Sequence, residues 1–532
     1  MPRFKHYDYK QSSMVVINYE DQLQPGTFEH TIHYLIGKKL DLSIFNPNYQ
    51  NDDGGRPAYD PAILLRIILF AYSKGITSSR EIQWCCQTNI LFKALSCDTV
   101  PHFTTIAHFV SSHADEIETL FEQVLLICHQ QGLLGNELFA IDGCKMPSNA
   151  AKEWSGTLKE LEEKRDKIRR RIHHQLTEHR RLDKEDPDDQ ARVERSQQTL
   201  ATLDKACERI DRFLKQAAPR MGQGRHRKEV KSNITDNESA KMTTSKGTIQ
   251  GYNGVAAVDS KHQVIVDAQA FGEGQEHHTL QPVIEAIRGR LKKLKISRDL
   301  SQIGTVITAD TGFANEANMQ YLKESGLNAY IPDNQFRSRD SRFADHKRKH
   351  GKKPAVTGKP WVGSRRNGVI PAAEFSFDAK ALVCVCPHGE TLSYSGTRIN
   401  AQGDKVAYFA GRLLQCRHCP KKRACMYNPA SADHRKGSGR QVSFVLERTE
   451  ERKSKTPYTD WMKSRVDSEE GRAIYGHRMS VVEPVFGNIG TNKGLNRISL
   501  RGKRKAQGQW RLYCMVHNIE KLMNYGKLAA RP

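Results

Sequence analysis

Two short stretches, ELFAIDG (137–143) and TVITADTG (305–312), decide the fold of this chain. In each, a run of apolar and β-branched residues ends at an aspartate, Asp142 or Asp310, and a glycine follows within two residues. Such a run predicts a buried strand that ends at the acid and delivers its carboxylate to the edge of a sheet. For either aspartate alone, the alternative is an ordinary acid at a strand end.

A third acid, Glu483, lies in YGHRMSVVEPVFGNIG (475–490) near the C-terminus. Carboxylate oxygens are preferred ligands of Mg²⁺, and two such ions can activate an attacking oxygen and stabilise a leaving one at a phosphodiester. Together, and in a basic chain, the three acids favour phosphoryl transfer.

The composition points to a polyanionic partner. The 532 residues include 83 Lys and Arg against 60 Asp and Glu, a net charge of +23. Nucleic acid is the commonest polyanion that such a field attracts. No run approaches 18 apolar residues and no signal peptide is recognisable, so we expect a cytoplasmic protein without membrane association. Its 12 cysteines are then expected to be reduced thiols or metal ligands.

The elements around the two aspartates follow a recognisable order. After the strand that ends at Asp142, GYNGVAAVDS (251–260) and HQVIVDAQAF (262–271) predict two more strands. A helix, the strand that ends at Asp310, a second helix and the strand NAYIP (328–332) complete the series. This is the order of an α/β ribonuclease H-like core, a mixed five-stranded sheet with helices. Its first and fourth strands are neighbours at the sheet centre, which would bring the two aspartates together.

The rest of the chain divides around this core. Residues 1–132 predict an all-α domain with a helix-turn-helix whose second helix lies near 102–112; a helical bundle that only packs is the alternative. Heptads over 161–182 and 193–217 predict an antiparallel coiled-coil hairpin, packed on DNA or a second subunit, or a solvated arm. The predicted domains are the N-terminal helical DNA-binding domain (1–132), the core (133–155 and 219–332, completed by 456–532 with Glu483), the hairpin insertion (156–218), and a basic, β-rich insertion (333–455).

The β-rich insertion carries two further features. Lys347, Arg348 and Lys349 belong to a basic stretch, with interleaved aromatic residues, that is suited to binding a DNA backbone. Five cysteines follow, and the spacing of CVCPHG (384–389) and CRHC (416–419) suggests a structural zinc site. The expected ligands are Cys386, Cys416, Cys419 and Cys425, with Cys384 as an alternative ligand. Reduced thiols in a subdomain core are the other interpretation.

Several of these motifs resemble the DDE transposases of bacterial insertion sequences, in particular the group with a Tyr–Arg–Glu–Lys signature. The resemblance lies in GRPAYDPAILLRIILFAYSKGITSSREIQ (55–83) with TTIAHF (104–109), in NITDNESAKM (233–242) with GTIQGYNGVAAVD (247–259), and in VHNIEKL (516–522). Tyr475 and Arg478 stand three residues apart, as in the signature. Where a basic residue is expected after Glu483 the chain has Gly490, and the nearest candidate is Lys493.

The resemblance implies that Asp142, Asp310 and Glu483 form a catalytic triad holding two Mg²⁺ ions, for which Mn²⁺ would substitute. It also implies a homodimer on paired DNA ends. The expected DNA contacts are Tyr475, Arg478, Lys493, Arg501, Lys503, Arg504, His102, Thr104, Lys347, Arg348 and Lys349.

The activity implied is cleavage at the inverted repeats that end the element, followed by joining of the freed 3′-OH to target DNA. Two alternatives stay open. One is a ribonuclease H-like nuclease that cuts without strand transfer, and the other is an inactive, domesticated DNA-binding protein.

Overall fold

A computed structural model describes residue 10, residue 54 and the ranges 16–49, 57–185, 190–222, 227–245, 247–296, 299–343, 369–400, 403–447 and 456–527. Lys347, Arg348 and Lys349 lie outside the described residues. The chain divides into two compact units, one formed by 1–340 with 458–532 and the other by 341–457. None of the helices in the described ranges is both long enough and apolar enough to cross a membrane.

The first unit contains a mixed sheet. The strands of this unit are β1 (Leu138–Pro147), β2 (Ser155–Gly156), β3 (Ser232–Asn233), β4 (Ala240–Thr244), β5 (Gly247–Asp259), β6 (Ile265–Phe271), β7 (Val306–Ala309) and β8 (Asn328–Tyr330). Strand β1 pairs antiparallel with β5 and parallel with β7, and β7 pairs parallel with β8. Strands β4 and β6 both pair antiparallel with β5, and β2 and β3 form a separate small ladder. The first and fourth of the expected core strands, β1 and β7, are therefore neighbours.

The prediction of five strands is wrong by one. Within the described residues the main sheet has six strands, because β5 is 13 residues long and β6 pairs only with its second half. Residues 247–251 of β5 pair instead with β4. The additional strand extends the same edge that β6 occupies, so it leaves the central order β5–β1–β7–β8 unchanged.

Helices surround this sheet. They are α1 (Phe28–Lys38), α2 (Pro61–Ser73), α3 (Ser79–Thr88), α4 (Ile90–Ser96), α5 (Phe103–Ser112), α6 (Ala114–Gln130), α7 (Leu158–Glu185), α8 (Gln190–Gln216), α9 (Leu280–Lys293), α10 (Leu300–Ile303), α11 (Glu316–Glu324) and α12 (Phe336–Arg339). The second unit has α13 (Leu413–Arg417) and α14 (Lys422–Cys425), and the chain ends with α15 (Pro457–Asp467), α16 (Glu469–Gly487) and α17 (Lys503–Tyr525).

The last helix joins the N-terminal helices to the sheet. Trp510 of α17 is fully buried and its indole N–H donates to the Val255 carbonyl of β5 at 3.3 Å. Arg511 of the same helix pairs with Glu118 of α6 at 2.7 Å, and Glu118 also pairs with Arg290 of α9. A buried guanidinium needs such partners because an uncompensated interior charge is costly. These contacts make the N-terminal helices and the sheet parts of one unit.

Helices α7 and α8 form an antiparallel hairpin. Leu161 and Ile210 are buried in their seam. Arg165, a polar residue at a seam position, pairs with Asp211 of the facing helix at 3.4 Å, and Arg169 pairs with the same carboxylate at 2.7 Å. The polar side chain that interrupts the apolar seam is therefore paired with an acid on the facing helix of the same hairpin.

The second unit is a five-stranded antiparallel sheet within its described residues. Its strands are β9 (Ser376–Asp378), β10 (Val383–Val385), β11 (Thr391–Ile399), β12 (Lys405–Ala410) and β13 (Gln441–Glu447), which pair in chain order. A small core of Phe375, Cys384, Leu392, Ala407, Phe409 and Val442 holds the sheet together.

A buried histidine in α17 sets an acid limit on the first unit. His517 is 1 % exposed; its Nε2 faces the Gln263 carbonyl at 2.9 Å and its Nδ1 faces the Asn488 amide nitrogen at 3.2 Å. Burial lowers the pKa of His517 to about 3. The hydrogen bond to the Gln263 carbonyl acts in the opposite direction and raises it. The imidazole is therefore neutral in the folded protein at pH values where it is charged in the unfolded chain.

We expect the free energy of unfolding to fall as the pH drops from about 6.5 towards 3. In that window His517 is protonated in the unfolded chain but neutral in the folded chain. The free energy of unfolding therefore falls by about 1.4 kcal/mol per pH unit. Urea unfolding at several pH values, followed by tryptophan fluorescence, measures this slope. His517→Gln should flatten it, whereas replacing the exposed His434 by Gln should not. Equal slopes for all three proteins would show that His517 does not set the limit.

Candidate active site

The register of β1 and β7 brings the two predicted aspartates together. Ile141 pairs with Ala309 in the parallel ladder; Asp142 is the next residue of β1, and Asp310 is the first residue after β7. Neighbouring strands lie about 4.8 Å apart, so the two carboxylates leave the sheet side by side. Asp310 caps the short 3₁₀ turn 311–313, accepting from the Thr311 N–H at 2.6 Å.

The prediction that the strand ends at Asp142 is wrong. Strand β1 continues through Gly143 to Pro147, because its antiparallel ladder with β5 continues after the ladder with β7 has stopped. Asp142 therefore stands where β1 loses one of its two neighbours. This opening on the β7 side gives the carboxylate its space.

Arg478 of α16 provides the countercharge. Its Nη2 lies 2.8 Å from Oδ2 of Asp142, and the side chains are 7 % and 23 % exposed. Burial raises the pKa of Asp142 and the Asp310 carboxylate adds to the rise, while Arg478 and the Gly143 N–H oppose it. The Nε of Arg478 is buried without a hydrogen-bond partner in the described structure. The guanidinium thus neutralises one aspartate and keeps one donor unused.

A third carboxylate, which the sequence analysis missed, lies beside the aspartates. Glu276 begins the 3₁₀ turn Glu276–His278 between β6 and α9. A Cβ atom built on Gly143 would lie 2.8 Å from Oε1 of Glu276, and one built on Gly312 would collide with Oε2. Burial, Asp142 and Asp310 raise the pKa of Glu276, and the Asn253 amide and Lys145 oppose the rise. The two glycines after the aspartates were the available sequence signal: they leave room for this side chain.

The donor set fits a divalent cation. Asp142, Asp310 and Glu276 supply hard oxygens, which Mg²⁺ and Mn²⁺ prefer. Asn253 is fully buried and its Oδ1, 2.9 Å from the Cβ position of Gly143, has no hydrogen-bond partner in the described structure. Across the described ranges, no three His, Cys, Asp or Glu side chains are already arranged to hold a metal. At this site Arg478 occupies an oxygen of Asp142 that a cation would need.

Glu483 lies elsewhere on α16. It is exposed, whereas Arg478 is buried. Five residues separate the two, so their side chains project about 140° apart around the helix. Among the interactions of the described residues, none joins Glu483 to Asp142 or Asp310. Tyr475 is half-buried; its ring contacts Phe336 with centroids 5.3 Å apart, and burial with the two aspartates raises its pKa against Arg478 and Arg337.

The prediction that Lys493 contacts DNA is contradicted. Lys493 is fully buried and ion-paired with Glu520 of α17, so its ammonium is not available to a phosphate. Burial lowers its pKa, and Glu520 opposes that shift. The other predicted basic residues near the start of α17 are exposed: Arg501, Lys503 and Arg504. Arg504 pairs with Asp115 at 2.6 Å, an exposed ion pair of the kind that contributes little to stability.

His102 and Thr104 lie at the exposed start of α5. His102 caps the helix, and its Nδ1 lies 2.7 Å from the Thr104 hydroxyl. Gln83 of α3 accepts from the Phe103 N–H at 2.8 Å, which fixes α5 against α3. The buried side of α5 is formed by Ile106, Phe109 and Val110, so the two polar residues stay free to face a ligand.

The expected zinc ligands belong to the second unit, where three of the sulfurs act electrostatically on the fourth, although no three of the described side chains are arranged to hold a metal. Burial raises the pKa of the Cys425 thiol, and the Cys416, Cys419 and Cys386 sulfurs add to the rise by charge repulsion, while Arg440 opposes it. The Arg440 N–H donates to the Cys416 sulfur at 3.4 Å.

Two glycines leave room for the sulfur of Cys416. Cβ atoms on Gly411 and Gly439 would lie 2.7 and 2.8 Å from the Cys416 sulfur. Cys384 differs from the other four cysteines, because it is fully buried in the apolar core of the sheet. This location favours Cys386 over Cys384 as a ligand.

Paired acids at the centre of such a sheet, a buried arginine and a basic chain define a class of enzyme that transfers phosphoryl groups on nucleic acid. Comparison with known families is more specific. Residues 385–523 match the model of a transposase DDE domain, and residues 17–112 match a transposase domain, DUF772. These matches indicate an insertion-sequence DDE transposase, a metal-dependent enzyme of phosphoryl transfer on DNA, with the ribonuclease H-like fold that its DDE domain implies. No curated protein matches the chain.

Proposed function

We propose that this transposase cuts DNA at the ends of its own element and joins the freed 3′-OH ends to target DNA, with Mg²⁺ as the cofactor. The observation that carries the proposal is the adjacent placement of Asp142 and Asp310 at the point where β1 and β7 part. Two carboxylates in a partly buried site suit a divalent cation and, through it, a phosphodiester.

The chain's own residues would act in complementary ways. Asp142 and Asp310 would hold two Mg²⁺ ions, or Mn²⁺ in their place, and Glu483, the third acid predicted from the sequence, would have to turn toward them from the exposed face of α16. When bound, these ions activate the attacking oxygen and stabilise the leaving one. Arg478 neutralises Asp142 before the cations bind. Its fork would then be released to a phosphate, which a guanidinium can bind in bidentate fashion.

DNA would be held outside this centre by exposed basic residues. Arg501, Lys503 and Arg504 form a compact group at the start of α17. Tyr475 lies close enough to the two aspartates for them to raise its pKa, and it would contact a phosphate or a displaced base. A homodimer on paired ends is the assembly we propose, since joining requires both ends of the element.

Cleavage and joining are tested on linear DNA that carries the element's terminal repeats, with Mg²⁺ and a supercoiled target. We expect nicked or cut ends first and end–target joints later. Cut ends without joints would identify a nuclease that lacks strand transfer. Specific binding without any cut in Mg²⁺ or Mn²⁺ would identify a DNA-binding protein that has lost catalysis, and the proposal would be wrong.

Sequence preference is expected to reside in α5. Replacing His102 and Thr104 by Ala should remove most of the preference for end DNA, because contacts to base edges carry the sequence information. Affinity for random DNA should stay nearly unchanged. Salt titrations on both DNAs measure the two effects separately.

Neutralising Lys347, Arg348 and Lys349 is the matched comparison. Loss of phosphate contacts should weaken binding to every DNA alike and reduce the salt slope by about one unit per contact. If the α5 variant instead lost affinity equally on both DNAs, α5 would not read the sequence.

We also propose that Cys386, Cys416, Cys419 and Cys425 hold a structural zinc ion in the second unit. Two observations support this proposal: the Cys386, Cys416 and Cys419 sulfurs lie near enough to Cys425 to raise the pKa of its thiol, and the two glycines and the Arg440 N–H leave room around the Cys416 sulfur. Four thiolates are the ligand set of many closed, structural zinc sites.

A further inference from the structure

Glu276 occupies the space between the two segments that carry the aspartates. It reaches this space from the turn after β6, so a third element of the fold contributes an acid to the centre. Its carboxylate oxygens lie where side chains at Gly143 and Gly312 would otherwise be. Any residue with a Cβ at these two positions would meet the Glu276 carboxylate. The two glycines therefore leave the space that the Glu276 carboxylate fills.

The site also contains a buried hydrogen-bond acceptor, Oδ1 of Asn253, that has no donor in the described structure. The Asn253 amide nitrogen lies 3.4 Å from Oε1 of Glu276, which orients the amide. Its Oδ1 then lies near Gly143, buried and without a hydrogen-bond partner in the described structure. A buried acceptor left unpaired costs about 1–3 kcal/mol. A ligand that supplies a positive charge or a bound water would remove this cost.

The site also carries more negative than positive charge. Three carboxylates meet here, because Asp142 and Asp310 follow paired residues of β1 and β7 and the Glu276 oxygens lie beside Gly143 and Gly312. The described cations that act on them are Arg478, paired with Asp142, and Lys145, whose ammonium is hydrogen-bonded to the Thr243 carbonyl at 2.8 Å. Partly buried carboxylates that share a site repel one another unless a cation joins them.

We propose that Glu276 is a ligand of the divalent cation that Asp142 and Asp310 bind, with Asn253 fixing its orientation. This inference rests on the proposed function, because it takes the aspartate pair as the metal site. Glu276 therefore adds a metal-binding carboxylate that does not depend on Glu483. Its role is to fix one cation from the turn after β6, which packs against the turn 311–313 that follows β7.

The test is Mn²⁺ binding to the full-length protein, measured by electron paramagnetic resonance of the free ion. Glu276→Gln keeps the size of the side chain and its bond to Asn253 but loses the charge. We expect its Mn²⁺ affinity to fall at least about tenfold, since even indirect partners of a metal site change affinity by 10–100-fold. Replacing the exposed Glu470 by Gln is the matched control and should leave the affinity unchanged.

Gly312→Ala provides a second variant that retains every acid. Gly312 has no positive φ, so alanine suits the backbone, and the atom it displaces is the flexible end of Glu276. This variant should weaken Mn²⁺ binding in the same direction. In a Glu276→Ala background it should have no further effect, which a double-mutant cycle would reveal. Circular dichroism and thermal melting establish that each variant is folded.

The outcomes separate the two proposals. If Glu276→Gln binds Mn²⁺ within about twofold of the wild type while Asp310→Asn does not bind it, Glu276 is not a ligand and the inference is overturned. If Asp310→Asn also binds Mn²⁺ normally, the aspartate pair is not the metal site, and the proposed function is what fails.

Discussion

Replacing Asp310 with Asn is expected to lower metal-dependent cleavage of end DNA by about 10³-fold or more. A metal ligand at the reacting phosphate contributes several kcal/mol of transition-state stabilisation, and each 1.36 kcal/mol corresponds to about a tenfold change in rate. DNA binding should be retained, because the side chain is one among many polar groups of a strongly basic protein. Single-turnover cleavage, with binding measured in parallel, gives both quantities.

Asp142→Asn should share this loss of cleavage but differ in stability. Arg478 is 7 % exposed and pairs with Asp142, so removing the carboxylate leaves a buried guanidinium without its partner. We expect the free energy of unfolding to fall by about 2 kcal/mol in this variant. Asp310 has no such partner among the described contacts, and its variant should keep wild-type stability. Normal cleavage by either variant would contradict the assignment of the site.

Loss of zinc is expected to unfold the second unit. The small core of that unit contains six buried residues, and structural zinc in small domains supplies an apparent binding free energy of about 10–16 kcal/mol. Freshly purified, reduced protein should contain about one zinc per chain. Chelation should then increase hydrogen exchange over residues 380–430.

Two cysteine variants make this prediction specific. Cys416→Ser should release the zinc, because the Cys416 sulfur is the one enclosed by Gly411, Gly439 and the Arg440 N–H. Cys97→Ser, at an exposed thiol of the first unit, should retain it. Metal analysis that finds no zinc in the wild type would leave the cysteines as packing residues and refute the proposal.

The sheet could be predicted from the sequence because its strands are marked by local patterns. The apolar runs before Asp142 and Asp310 required burial, and the order of elements required β1 and β7 to be neighbours. The length of β5 was not predictable in this way, since its 13 residues pair with two different strands on one side. The bonds that extend its first half join it to β4 in a tight hairpin, which the sequence analysis did not recognise.

The candidate site was predictable only in part, because its side chains come from segments that are distant in the chain. Glu276 carries no local signal of its own, and the glycines that make room for it were interpreted as strand ends. Lys493 was chosen by its distance from Glu483 in the chain, but the packing of α17 buries it against Glu520. Residue type and spacing identified the aspartates, whereas the surroundings of each side chain required the three-dimensional arrangement.

Iron-directed cleavage of the polypeptide tests most directly whether Asp142 and Asp310 hold the catalytic cation. Fe²⁺ bound in place of Mg²⁺, with ascorbate and peroxide, cuts the backbone beside its ligands. We expect cuts near residues 142 and 310 that excess Mg²⁺ suppresses and that Asp310→Asn abolishes. The same cuts in the Asp310→Asn protein, or cuts confined to other parts of the chain, would contradict a metal-dependent active site at the junction of β1 and β7.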